Sequence, residues 1–237
     1  LLLLFIWLAL FSSIAVTWSL LNLPETESIQ ISRQPSITFL DKDGRIIASY
    51  GDVYGQSIQF SDLPENLINA VIVTEDKSFF SHPGVDFRGV IRAAYTNVKK
   101  RRIVQGGSTI TQQLAKNLFL TPERSFTRKL HELILSFWLE MRFSKEQILS
   151  IYLNRVYLGS GTYGVQAASE KYFNKKVEDL SLYESAVIAS LLKAPSKYNP
   201  IANFELSKKR ASLVLNNMAK NNMISIKEVN KIGRASC

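Results

Sequence analysis

The chain begins with a long, predominantly apolar stretch. Residues 1–23 contain no charged side chain, and about 20 apolar residues at ~1.5 Å rise per residue cross a hydrocarbon core. The stretch therefore predicts a transmembrane anchor, with Trp7 and Trp18 suited to the membrane interface. A cleaved signal peptide is one alternative, although its apolar region is usually only ~7 to 15 residues long. A buried core helix is a third interpretation.

The pattern changes twice after this stretch. Residues 24–35 are polar and bounded by prolines, which indicates a linker. Two short apolar runs then flank the sequence Asp41-Lys42-Asp43-Gly44 and predict a β-hairpin. We place the main domain at residues 36–200 and a C-terminal helix with a tail at residues 201–237.

Helical periodicity dominates the rest of the chain. Apolar residues recur at three- and four-residue spacing before Glu75, across residues 128–141 and across residues 204–220. Ser144 and Ser181 are placed to cap two further helices. We therefore predict a mainly α fold.

Composition adds a strong positive charge. The 237 residues carry a formal net charge of +9, so the surface attracts polyanions: nucleic acid, anionic lipid or phosphorylated substrates. The single cysteine, Cys237, is the last residue, so no disulfide forms within the chain. Charge alone does not choose among the three partners.

A first block of candidate chemistry starts at Glu75. If the predicted helix continues, Phe79 and His82 share its face, and Asp76 lies beside them. An apolar wall beside a carboxylate favours its protonated form, which suits a general base. For an isolated pair of acids, a solvated helix end is the simpler interpretation.

A second block spans residues 106–117. Ser108 or Thr109 is placed to cap a helix whose exposed amides favour an anion. Thr109, Gln113 and Lys116 then form one polar stripe, with Asn117 next in sequence. Such a stripe is usually a solvated face, but uncharged Thr and Gln also hydrogen-bond sugars and phosphates well.

A third block centres on Glu132. Arg128 and Glu132 form an i, i+4 pair, which as a surface salt bridge contributes only ~0.3 to 0.5 kcal/mol. Cations are nevertheless concentrated here, and such groups stabilise a diphosphate leaving group. These cations are Lys116, Arg124, Arg128 and Lys129.

Four ordered segments carry a family resemblance: TEDKSFFSHPGVD, GGSTITQQLAKN, RKLHELILSFWLE and KEQILSIYLNRVYLG. They resemble the successive motifs of the peptidoglycan glycosyltransferases, the lipid II polymerases of class A penicillin-binding proteins and their monofunctional relatives. The resemblance covers residues 37–200. It implies a lysozyme-like helical domain with a smaller membrane-associated subdomain between Asp86 and Gly106, where apolar residues precede a basic run.

The resemblance also implies roles for single residues. Glu75 matches the catalytic base, and Glu132 matches a second catalytic glutamate that orients groups or holds a divalent cation, Mg²⁺ or Mn²⁺. The remaining matched residues imply substrate binding: Asp76, Phe79, His82, Ser108, Thr109, Gln113, Lys116, Asn117, Arg124, Arg128, Lys129, Tyr152 and Asn154.

The implied reaction is the inverting transfer of a glycan chain from undecaprenyl diphosphate to the sugar hydroxyl of lipid II. It implies a single-pass protein of the bacterial cytoplasmic membrane, with its catalytic domain on the outer face. The implied partners are lipid II, the lipid-linked glycan, membrane lipids and cell-wall synthesis proteins, with no nucleic acid. The segment that includes Ser207 and Lys208 also resembles the connection to a transpeptidase domain.

Two other classes of function remain open. A lysozyme-like hydrolase or lytic transglycosylase also uses a glutamate in a helical domain, but it has no need for cations around a diphosphate. A membrane-anchored protein that binds nucleic acid fits the charge, yet the sequence has no recognisable nucleic-acid motif.

Overall fold

The structure is a computed structural model that describes residues 37–40, 42, 46–50, 53–101, 106–120 and 125–235, and the single positions Leu3, Ile6, Trp7, Leu10 and Thr17. Within this part of the chain, no helix has both the length and the apolar content needed to cross a membrane. Most of the predicted anchor and all of the predicted linker lie outside the described residues, so both remain predictions.

The described chain forms two compact units. Unit 1 combines Leu1–Ile31 with Pro83–Phe143, and unit 2 combines Ser32–His82 with Ser144–Cys237. The helices, in chain order, are α1 (Glu65–Glu75), α2 (Phe87–Lys99), α3 (Ile110–Phe119), α4 (Phe126–Arg142), α5 (Lys145–Arg155), α6 (Val165–Phe173), α7 (Leu182–Leu191), α8 (Phe204–Lys220) and α9 (Ile226–Ala235). The strands are β1 (Ile37–Leu40), β2 (Ile46–Tyr50), β3 (Val53–Tyr54) and β4 (Thr162–Tyr163). The predicted mainly α fold is confirmed.

The strands form two small sheets. β1 pairs with β2 in antiparallel orientation, with Ile37 opposite Tyr50, and β3 pairs with β4 in parallel orientation. Three of the four residues of the predicted Asp-Gly turn lie outside the described residues, so the turn itself remains a prediction.

The core of unit 2 is built around α7. Seven consecutive residues of this helix, 185–191, are buried, as expected for a helix that is covered on all sides. It packs against α1 and α8, and α1 contributes Leu67, Ala70 and Val71 to the same core. Glu75, the last residue of α1, is therefore attached to a helix that is packed in the core.

The predicted continuation of α1 beyond Glu75 is wrong. Asp76 ends the helix with backbone angles φ −158° and ψ 84°, and the chain then makes a short 3₁₀ turn at Phe79–Ser81. The buried carboxylate of Asp76 hydrogen-bonds to the ring of His82, and this closed loop replaces a further helical turn. Glu75, Phe79 and His82 thus do not share a helix face.

Side-chain caps begin the helices of unit 1. Thr109 caps α3 with a capping box that includes Gln112, and the Ser125 hydroxyl accepts from the Arg128 amide at the start of α4. α3 packs directly on α4. The cap predicted at residue 108 or 109 is therefore provided by Thr109.

Two features concern the C-terminal part of unit 2. The helix predicted across residues 204–220 is confirmed as α8. A further helix, α9, packs on it and extends to Ala235. The sequence-based prediction had a tail here and no helix, although Ser225 caps α9: its hydroxyl accepts from the Glu228 backbone N–H at 3.2 Å and donates to the Glu228 carboxylate at 2.8 Å.

One cap in unit 2 makes stability depend on pH. Partial burial alone would raise the pKa of Glu184, but hydrogen bonds from Lys175 and Ser181 outweigh it and hold this pKa below its usual value. Since the pKa is lowered by folding, the ionised carboxylate stabilises the folded state. That stabilisation is present above the unfolded-state pKa and is lost as the pH falls through the folded-state pKa.

We predict that Glu184→Gln lowers the free energy of unfolding by roughly 0.5 to 1 kcal/mol at pH 7, because an ion pair and a charged cap are lost. The difference in the free energy of unfolding between this variant and the unmodified chain should narrow below pH ~4. There the unfolded-state carboxyl becomes protonated first, which removes the stabilisation that the folded-state carboxylate provides. Thermal unfolding across pH checks this. The exposed Glu178→Gln is the control, and an equal effect of both substitutions would contradict the prediction.

Candidate active-site clusters

The first cluster lies in unit 2 and follows Glu75. We call residues 75–82 the Glu75 segment. Asp76 and His82 are both buried, and His82 Nε2 lies 3.1 and 3.0 Å from the two Asp76 carboxylate oxygens. The Asp76 amide also donates to the Ile72 carbonyl at 2.9 Å. The bonds between Asp76 and His82 thus close residues 76–82 into a loop, and the Asp76 amide joins this loop to the last turn of α1.

A lysine from α5 holds the far end of this segment. Lys145 Nζ donates to the His82 carbonyl at 2.7 Å and lies 4.5 Å from the centre of the Phe79 ring. Phe79 is completely buried, so this cation–π contact is shielded from water. Lys145 is the first residue of the fourth motif segment, KEQILSIYLNRVYLG, but its spacing alone gives no signal of this contact.

Tyr152 of α5 interacts electrostatically with Glu75. It is completely buried, and burial, followed by the negative charge of Glu75, raises the pKa of Tyr152 well above its usual value. The hydroxyl therefore stays protonated beside Glu75. Tyr152 has no exposed surface, and its implied contact with substrate remains a prediction.

Asn154, in the same helix, hydrogen-bonds to the chain that precedes α1. Its amide group accepts from the Ile58 backbone N–H at 2.9 Å and donates to the Ile58 carbonyl at 2.8 Å. Ser150 donates to the same carbonyl at 2.6 Å. These bonds fix the chain before α1, so Asn154 serves the fold here, and its implied contact with substrate remains a prediction.

The second cluster lies in unit 1 and centres on Glu132. We call Ser108, Arg128, Lys129 and Glu132 the Glu132 cluster. Glu132 is 4% exposed; Lys129 Nζ contacts one of its oxygens, and Arg128 Nη1 lies 3.2 Å from the other. Lys129 also donates to Ser108 Oγ at 3.0 Å. The predicted surface salt bridge is therefore a partly buried network in which one carboxylate holds two cations.

The polar stripe predicted on α3 divides into two groups. Thr109 is buried and precedes the helix as its cap, whereas Gln113 is half-buried and Lys116 and Asn117 are exposed. The Thr109 hydroxyl also donates to the Gly84 carbonyl at 2.6 Å, so its hydrogen-bonding capacity is used within unit 1. Its implied contact with substrate remains a prediction.

Two buried polar residues of α3 were missed. Gln112 accepts from the Thr109 amide at 3.1 Å, and Thr111 donates to Glu140 at 2.6 Å. The first has a sequence signal, because Thr-x-x-Gln is a capping box. The second has none, since only packing brings α4 beside Thr111.

Two predictions concern other parts of the Glu132 region. Arg124 lies outside the described residues. A divalent cation at Glu132 finds no supporting donor set in the described part of the chain, where no three His, Cys, Asp or Glu side chains are grouped for a metal. Both oxygens of Glu132 contact cationic side chains instead, so this arrangement does not fit a metal ligand. The metal remains a prediction.

Comparisons with known proteins agree with one another. The family model described as Transglycosylase matches residues 43–219. Penicillin-binding protein 1A of Neisseria gonorrhoeae is 45% identical over 218 residues, which is 91% of this chain and 27% of that protein. Penicillin-binding protein 1A of Aquifex aeolicus is 45% identical over 205 residues, or 86% of this chain and 28% of that protein.

One solved structure, penicillin-binding protein 1A from Haemophilus influenzae, matches with a TM-score of 0.49 and 25% sequence identity, covering 85% of this chain and 20% of that one. The family model covers well over half of the chain, so the chain belongs to the transglycosylase family, the peptidoglycan glycosyltransferase domain of class A penicillin-binding proteins. It spans little more than a quarter of the length of the curated relatives.

The turn that begins the Pro83–Phe143 part of unit 1 depends on a glycine. Gly84 has φ +89°, and a Cβ atom there would lie 3.1 Å from both the Ser136 carbonyl oxygen and Glu140 Cγ. We predict that Gly84→Ala lowers the free energy of unfolding by roughly 1 to 3 kcal/mol, because a strained backbone and a close contact coincide. Denaturant unfolding measures this loss.

Gly106→Ala is the matched control. A Cβ atom at Gly106 would meet no described atom within 4 Å, so we expect a change below about 0.5 kcal/mol, as for an ordinary surface substitution. Equal stability of the two variants would show that Gly84 is not constrained.

Proposed function

We propose that the chain polymerises lipid II into glycan strands for the bacterial cell wall. The donor is the growing glycan on undecaprenyl diphosphate, and the acceptor is the sugar hydroxyl of lipid II. Family membership supports the reaction class. The Glu132 cluster is the observation that carries the proposal, because two cations held by one buried carboxylate suit a diphosphate leaving group.

The proposed step is a single displacement. Glu75 takes the proton from the acceptor hydroxyl as its oxygen attacks the anomeric carbon of the donor. The bond from that carbon to the diphosphate oxygen breaks, and the diphosphate leaves with the electron pair. Attack from the opposite face inverts the anomeric centre, from α in the donor to β in the polymer.

The position of Glu75 suits a base. It is half-buried and ends α1, where the partial negative charge of the helix C-terminus favours the acceptance of a proton. The negative charge of Glu75 contributes to the raised pKa of Tyr152, so the Tyr152 hydroxyl stays protonated. The closed loop of Asp76 and His82 follows Glu75 directly and limits its movement.

The cations of the Glu132 cluster suit the leaving group. The Lys129 side chain is about half exposed, whereas that of Arg128 is 20% exposed, so Lys129 is the more accessible phosphate ligand. Ser108 adds a hydroxyl beside it. In this proposal Glu132 is the positioning anion of the cluster, and an additional role in holding a divalent cation would require it to release a cationic partner.

Membrane association is part of the proposal. Phe87, Ile91, Tyr95 and Val98 lie on one face of α2 and are each more than 60% exposed. Basic residues follow at the end of that helix, among them Lys99, which is the composition of a segment that lies on anionic lipid. We propose that this face contacts the outer surface of the cytoplasmic membrane, with residues 1–23 as the anchor.

Hydrolysis of finished glycan is the second candidate. A glutamate in a helical domain supports it, but cleavage does not require the paired cations of the Glu132 cluster, and the family assignment favours synthesis. Incubation with lipid II and, separately, with isolated cell-wall sacculi distinguishes the two: we expect glycan strands from the first and no soluble fragments from the second.

We predict that Glu75→Gln lowers the rate of lipid II polymerisation by at least 100-fold, since removal of a general base typically costs 10²- to 10⁴-fold. Gel analysis of glycan products measures the rate. Glu65→Gln, at the exposed opposite end of α1, is the matched control and should retain full activity. Near-normal synthesis by the Glu75 variant would remove Glu75 as the base.

We predict that Glu132→Gln lowers the rate of lipid II polymerisation by roughly 10²- to 10³-fold, comparable to the removal of one group that stabilises the transition state electrostatically. Its physical reason is that Lys129 and Arg128 lose the anion that holds them. A parallel assay with a chelator tests the metal: an activity that survives chelation would restrict Glu132 to positioning cations.

A further inference from the structure

Lys145 occupies an electrostatically unfavourable position in its own helix. It is the first residue of α5, where the exposed amides carry partial positive charge and where an acidic side chain is the stabilising choice. The neighbouring cap does not need it, because Ser144 and Gln147 form the capping box. The reason for a cation at this position therefore lies outside α5.

The contacts of Lys145 supply that reason. Its ammonium reaches across unit 2 to the Glu75 segment, where it donates to the His82 carbonyl at 2.7 Å and lies 4.5 Å from the Phe79 ring centre. These are two points of the same turn. A charged donor makes a stronger hydrogen bond to a carbonyl than a neutral donor does.

The same helix carries a residue that interacts electrostatically with Glu75, at the other end of the segment. Tyr152 lies seven residues after Lys145, two helical turns along one face of α5, and it is the buried neighbour of Glu75. α5 thus holds the His82 end of the segment directly through Lys145, and it places Tyr152 within electrostatic range of Glu75 at the other end. The Asp76–His82 hydrogen bonds connect these two ends.

We propose that Lys145 is a positioning residue for Glu75: by holding the His82 carbonyl and the Phe79 ring, it keeps the Glu75 segment in the conformation that places the base. This inference rests on the proposed function, and it adds a residue with no assigned role in that reaction. Lys145 acts through the segment and does not contact the reacting atoms.

The test uses the full chain and three variants. Lys145→Met keeps an unbranched side chain over Phe79 and removes the donor, whereas Lys145→Arg keeps a cationic donor. Lys175→Met is the matched control, because Lys175 belongs to the same unit and pairs with Glu184 instead. Thermal unfolding first identifies an assay temperature at which all variants are folded.

Kinetics with lipid II give the first measurement. We expect Lys145→Met to lower kcat by roughly 10- to 100-fold with KM changed less than about twofold, because a small misplacement of a catalytic group costs up to ~10²-fold. Lys145→Arg should recover most of kcat, and Lys175→Met should leave it unchanged. An unchanged kcat in Lys145→Met, or an equal loss in Lys175→Met, would overturn the proposal.

Amide hydrogen exchange gives the second measurement and does not depend on activity. We expect Lys145→Met to speed exchange within residues 76–82 at least fivefold while α7 remains protected, and Lys175→Met to leave residues 76–82 unchanged. Unchanged exchange there in Lys145→Met would overturn the positioning role. If the unmodified chain makes no glycan, the proposed function fails, whereas the exchange experiment still decides whether Lys145 holds the segment.

Discussion

A buried carboxylate must have a partner, and each unit of this protein satisfies that constraint in its own way. Removal of an unpaired charge from water costs several kcal/mol, so such groups are found with cations or hydrogen-bond donors. In unit 2 the carboxylate of Asp76 bonds to His82, and in unit 1 Glu132 holds Lys129 and Arg128. The local structure at both candidate sites follows from these pairs.

The two pairs have different chemical consequences. The pair in unit 2 closes a loop that directly follows Glu75, the half-buried residue proposed as the base. The pair in unit 1 concentrates positive charge on one helical turn while Glu132 neutralises part of it. A base and a prepared cation pair are the requirements of glycosyl transfer from a diphosphate, and the second of them has no use in hydrolysis of a glycan.

Helix caps place these groups with little freedom. Thr109 both caps α3 and donates to the Gly84 carbonyl. The start of α3 is therefore bonded to the turn that begins the Pro83–Phe143 part of unit 1. Ser125 sets the first turn of α4, from which Arg128 and Lys129 reach Glu132. Each cap fixes where its helix begins, and the packing of α3 on α4 then brings Ser108 beside Lys129.

Local chemistry by itself determined much of this protein. Periodicity located α8, and serines at helix starts located α5 and α7, because caps and apolar spacing are properties of neighbouring residues. The i, i+4 spacing likewise paired Arg128 with Glu132. The ordered motifs placed the chain in its family, which the comparisons confirmed.

Tertiary structure decided the rest, because burial and contacts between distant segments have no local signal. The helix did not continue past Glu75, since a hydrogen bond across six residues, from Asp76 to His82, replaced the next turn. Tyr152 became a buried neighbour of Glu75, and Lys145 reached a carbonyl 63 residues away in sequence. The sequence by itself determined the family and the local helix caps; only packing decided which distant side chains meet, as Lys145 and His82 do.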